Sequence, residues 1–107
     1  MKNKADVDIL PEDRVNLNQE QKNLIELALQ KQVPPEDAEL IEKVQEESKT
    51  SLDPGSLFIK LSDYFTRKYG IDFGIIYLSA IIGGEEKYKE TIESIERLRA
   101  LDRAKRN

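Results

Sequence analysis

The chain has 107 residues, 38% hydrophobic and 36% charged, with only four prolines and five glycines. This bounds it to one small domain, 1–107, with a modest core, and argues against a turn-rich all-β design. It holds neither cysteine nor histidine, which excludes disulfides, thiol chemistry, His–Cys zinc sites and histidine acid–base catalysis. The net charge of −4 is unevenly spread: residues 1–50 carry 7 basic and 12 acidic groups, residues 51–107 carry 10 and 9.

Residues 1–16 show little periodicity and read as a flexible leader, mobile or laid on the surface, with Ile9 and Leu10 as candidate anchors. The first ten residues contain acids and no long apolar run, so no secretion signal is expected. A first helix is expected from about Asn18 to Lys31. Asn18 and Gln21 have the spacing of a capping box, and Leu24, Leu27 and Ala28 mark one face, widened by Ile25 and Leu29. Val33-Pro34-Pro35 breaks the chain. Pro35 then opens a second helix, with Glu36 and Asp37 at its favourable dipole end. Its apolar stripe, Leu40, Ile41 and Val44, is narrow, and its far end, 45–50, is polar. This element should lie partly exposed.

The best-specified segment is Leu52–Gly70. Asp53 can cap it, Pro54 can open it and Gly70 can close it in a left-handed conformation. Between them Leu57, Phe58, Leu61, Phe65 and Tyr69 form a wide apolar stripe. After Gly70, Asp72 is a candidate cap for a helix through Phe73, Ile76 and Ala80. It is apolar almost all round and should be the most buried element. A strand is the competing reading, but no second strand exists to pair with it. Gly83-Gly84 leaves two arrangements open for the helical pattern that follows to Lys105. It either continues the preceding helix through a kink or folds back as a separate element. Together these segments predict an all-α fold, a small antiparallel four-helix bundle with a kinked or separate C-terminal helix.

No catalytic constellation emerges. The carboxylates of the second helix, Glu42 and Glu46 among them, fit a solvated face better than a metal site. The serines have no histidine base, and Gly83-Gly84 is followed by acids rather than by a phosphate-loop lysine. Lys60 near Asp63 reads as a surface pair. No enzyme activity, metal or cofactor is expected. Arg97, Arg99, Arg103, Lys105 and Arg106 make a small basic end faced only by Asp102. Most aromatics should be core or core edge, with some free to line a groove for another protein.

Leu52-Asp53-Pro54-Gly55, then Leu57 and the periodic helix to Tyr64, resembles the class IIa (pediocin-like) bacteriocin immunity proteins, especially the enterocin A immunity type. The resemblance is concentrated over Lys49–Tyr69; chain length and two preceding helices also match. It implies a small cytosolic antiparallel four-helix bundle that protects a cell from a pore-forming bacteriocin. It further implies action with membrane components of the mannose phosphotransferase system carrying bound bacteriocin, at the inner face of the cell membrane. By the same resemblance the C-terminal half, Ile71–Asn107, sets specificity. The apolar run Phe73–Ile82, the Gly83-Gly84 break and the highly charged last helix are not matched to the family pattern. Within that half, Tyr77 and Tyr88 are expected to supply contact area, and Arg97, Arg99 and Arg103 to steer the partner. Two alternatives remain: another helical inhibitor or antitoxin-type protein-binding module, and a nucleic-acid-binding helical domain, although no nucleic acid is expected as partner.

Overall fold

The computed structural model describes residues 8–50 and 54–106, without the side chains at 48–50, 54, 55 and 57. The expected Asp53 cap, the contribution of Leu57 to the stripe and residues 1–7 of the leader lie outside the described residues. The fold is all-α: a short 3-10 turn at Pro11–Asp13, then α1 Gln19–Leu29, α2 Pro35–Thr50, α3 Pro54–Tyr69 and α4 Ile71–Arg106. Among the described residues there is no strand.

Each boundary has a local cause. The Asn18 side chain accepts from the Gln21 amide at 2.8 Å, and the Asn18 amide donates to the Gln21 side chain at 2.9 Å. That is the reciprocal cap read from the spacing. α1 stops two residues before the expected Lys31, which adopts φ 60°. The Gln32 amide then donates to the Leu27 carbonyl at 2.8 Å, closing the last turn. Pro35 opens α2 as expected, and Gly70 separates α3 from α4 at φ 98°.

α4 is helical except at Gly84, where φ is 78° and ψ −162°. An L side chain is strained there, so glycine permits the reversal. The arm of residues 85–106 folds back along the arm of residues 71–83. Thr91 Oγ1 donates to Ser79 Oγ at 2.8 Å, and Arg99 pairs with Asp72, 27 residues earlier. Of the two arrangements left open at the glycines, the chain takes the fold-back.

The other neighbours are antiparallel as well. α2 runs against α3, because Asp37 meets Lys68 at one end while Glu47 meets Lys60 at the other. α3 runs against the first arm of α4: Tyr69 lies on Phe73 with ring centroids 5.9 Å apart, and Phe65 on Tyr77 at 5.5 Å. The two helices approach closely at Gly74, where an added Cβ would fall 2.5 Å from the Phe65 carbonyl oxygen. α1 packs on α4.

The first arm is the axis of the core. Phe73, Ile76, Tyr77, Leu78 and Ala80 are buried on it, joined by Leu61 and Phe65 from α3, Ile25 and Ala28 from α1 and Val44 from α2. Each buried Leu, Ile or Phe contributes about 2–3 kcal/mol of transfer free energy. Phe58 departs from the expected stripe and is 47% exposed. Its position on α3 points past the first arm toward the rim of the hairpin rather than into the core.

Residues 8–16 are laid on the second arm. Asp13 is buried and pairs with Arg103 at 3.1 Å, and the Val15 amide donates to buried Glu96 at 2.9 Å. Leu10, read as an apolar anchor, is exposed. Ile9, the other expected anchor, is half-buried, and Val15 packs against the core, so apolar and polar groups hold this segment together.

Candidate partner-binding surface

The five residues expected to meet a partner have different fates. Tyr77 has no exposed surface, so its assignment to a contact surface is corrected: it is a core residue. Its hydroxyl donates to Asp37 at 3.1 Å. Tyr88 is half-buried in a shallow cleft against Leu17, Ile25 and Leu29. Arg99 is engaged with Asp72 and the Arg14 carbonyl, and Arg103 with Asp13 and the Asp8 carbonyl. Arg97 is exposed and forms no ion pair among the described residues.

The basic end is therefore not a free cationic patch. Arg99 and Arg103 meet acids from other segments, and Arg106 pairs with Asp102 at 2.8 Å. Lys60 and Asp63 likewise find other partners, Glu47 and Arg67. Sequence reasoning missed the first two because the pairing acids lie far along the chain.

The most unusual polar group is Asp37. It is fully buried and accepts from Lys68 Nζ at 2.9 Å, the Tyr69 hydroxyl at 2.6 Å and the Tyr77 hydroxyl at 3.1 Å. Burial, and then the bond to Asp37, pushes the Tyr69 hydroxyl up to about 12. Burial and the Asp37 charge likewise push Tyr77 well up. Partial desolvation pulls the Lys68 ammonium down, but its bonds to Asp37 and Glu36 carry it above its ordinary value. Each donor thus keeps its proton beside the carboxylate. Asp37 is sealed from solvent, and the cluster ties α2 to α3 and α4. Its sequence signal was only an acid in the first turn of a helix, which a dipole role already explains.

No group of three or more acids that could hold a metal ion occurs among the described residues. Within the same residues, no helix is long and apolar enough to cross a membrane.

What the surface does offer is an apolar groove of about 730 Å³ between α3 and the α4 hairpin. Phe58, Ile75, Ile82, Ile95 and Leu98 line it, with Ser79 and Thr91 hydroxyls in the middle. Phe58, Ile82 and Leu98 are 47%, 57% and 65% exposed. The hydroxyls are already satisfied: Thr91 donates to Ser79, and Ser79 to the Ile75 carbonyl at 2.9 Å. Lys87, Glu90 and Ser94 also line the groove, so it combines apolar area with charged and hydroxyl groups, which suits an amphipathic protein segment. The periodicity of α4 contained this signal, since Ile75 and Ile82 fall off the row of Phe73, Ile76 and Ala80. No family model matches the chain, and neither a curated protein nor a solved structure does.

Proposed function

We propose that this protein confers immunity against a pore-forming, pediocin-like bacteriocin. It acts from the cytoplasm at the inner face of the membrane, by engaging mannose phosphotransferase components that carry the bound peptide. The observation that carries the reading is the apolar groove on the α4 hairpin. It lies in the half of the chain to which the family resemblance assigns specificity, and its occupant is an amphipathic helical segment of that membrane assembly. The all-α bundle built on Pro54–Tyr69 agrees with the helical architecture that the family resemblance implies.

The test is expression in a sensitive strain challenged with a panel of pediocin-like peptides. Protection against at least one peptide is expected, and Leu98→Asp is expected to abolish it while the purified variant stays folded. Loss of protection across the panel despite confirmed expression would count against the reading. Capture of a toxin or a polymerase, rather than transporter subunits, from the native host would favour the inhibitor or antitoxin-type alternative. The nucleic-acid alternative is not proposed, because Arg99, Arg103 and Arg106 are each neutralised by a carboxylate within the chain.

A further inference from the structure

Among the described residues of α2, only Asp37 and Val44 are buried, and Leu40 and Ile41 are half-buried. The helix backbone packs along α3 and along no other helix. On its α1 side it stands off, leaving a cleft of about 290 Å³ lined by Ala28, Ala38, Ile41 and Ile81. Polar ties hold it at both ends. At the outer end Glu47 pairs with Lys60 at 3.1 Å, but both side chains are exposed, so the pair adds little. At the inner end Asp37 collects the donors of Lys68, Tyr69 and Tyr77. Those bonds exist only while α2 is docked. When α2 lifts, water replaces each of them, and the apolar area given up is one narrow row. The rings of Phe65, Tyr69, Phe73 and Tyr77 stack between α3 and the first arm of α4 without any group from α2. On the chain side, Pro34 and Pro35 carry no amide hydrogen, so no helical ladder runs from α1 into α2.

We propose that α2 is a latched flap. It opens as one unit about residues 33–34 while α1, α3 and the α4 hairpin stay folded together. The Asp37 cluster is the latch that sets how often it opens. Tyr77, sealed in the closed state, meets solvent only in the open one. An element held by few apolar contacts opens independently of the core in this way. No residue lining the apolar groove comes from α2, so the inference stands apart from the immunity reading and either can fail without the other.

The experiment is native-state hydrogen exchange of the full chain in low urea. Amides 39–47 should share one opening constant, at least about tenfold above that of amides 73–82, with a weaker dependence on urea. Tyr77→Phe removes a latch donor that sits on another helix and should speed α2 exchange about threefold to tenfold. Asp37→Asn should speed it further, and the milder Tyr77→Phe carries the test if that variant does not fold. Ile25→Val lies where α1 faces Tyr88 and Ile92, so it weakens the closed and open states alike. It should speed exchange at 73–82 about threefold to tenfold and leave α2 unchanged. One common opening constant and urea slope for α2 and the first arm would overturn the proposal. So would α2 amides that ignore Tyr77→Phe, or that respond to Ile25→Val as strongly as the first arm does.

Discussion

The Asp37 carboxylate on α2 accepts a hydrogen bond from the Tyr77 hydroxyl on the first arm of α4, and neither side chain reaches solvent. This contact and its two companions, from Lys68 and Tyr69, fasten an otherwise polar helix to the core. Asp37→Ala would leave two buried or half-buried hydroxyls and an ammonium without their acceptor. At about 1–3 kcal/mol for each stranded group, partly relieved by water, a net loss of about 3 kcal/mol is expected. Tyr77→Phe removes one donor and should cost about 1 kcal/mol. Urea denaturation of both variants measures the difference. Equal losses would mean that the carboxylate is not the hub.

The same cluster sets an alkaline limit. Tyr69 ionises at about 12 in the folded chain, against 10.0 ordinarily. The unfolded chain therefore gives up this proton first as the pH rises. The stabilisation is fully present below pH 10 and is lost as the pH climbs toward about 12. Ultraviolet titration should show Tyr69 and Tyr77 ionising late, together with the loss of helical circular dichroism. Full ionisation of all four tyrosines in one step near pH 10, with the helix signal intact, would contradict this.

At the acid end the sign reverses. The Arg103 bond, aided by the Leu10 amide, holds the Asp13 carboxyl below its ordinary 3.8. Its contribution is complete above that value and disappears as the pH falls through the lowered native one. Asp13→Asn should release residues 8–16 from the second arm, raise their amide exchange and flatten the acid limb of the stability profile. An unchanged exchange rate over these residues would show that Glu96 alone holds the segment.

Two glycines should fail for different reasons. Gly74→Ala drives a methyl into the Phe65 carbonyl and forces α3 and α4 apart, at a cost of about 1–3 kcal/mol. Gly84→Ala meets nothing within 4 Å, but it must hold φ near 78°. That strain also costs about 1–3 kcal/mol. Thermal melts should show both losses. Replacing Gly84 by D-alanine in a synthetic chain should recover stability there, whereas D-alanine at Gly74 should not.

Helix starts and stops were legible in the residues. Asn18 with Gln21, Pro35, Gly70 and the apolar run through Phe73 and Ala80 each act within one or two turns, so spacing alone reports them. The candidate surface was less legible. Tyr77 looked like an edge aromatic because its hydroxyl acceptor, Asp37, lies forty residues away. Arg103 looked free because Asp13 lies ninety residues away. Periodicity gives the direction of a side chain from its own helix axis, and says nothing about what arrives to meet it.

The sequence by itself determined that the chain is all-α, where α1 and α2 begin and α3 ends, and that 73–80 is the most buried stretch. Those features depend on backbone conformation and on a 3.6-residue repeat, which are properties of neighbours in the chain. Only the tertiary structure decided that α4 reverses at Gly84, that Asp13 and Asp72 neutralise Arg103 and Arg99, and that Phe58, Ile82 and Leu98 stay uncovered. Each of these depends on which distant surfaces meet. A single glycine permits either a kink or a reversal, and the buried contacts between the two arms select the reversal.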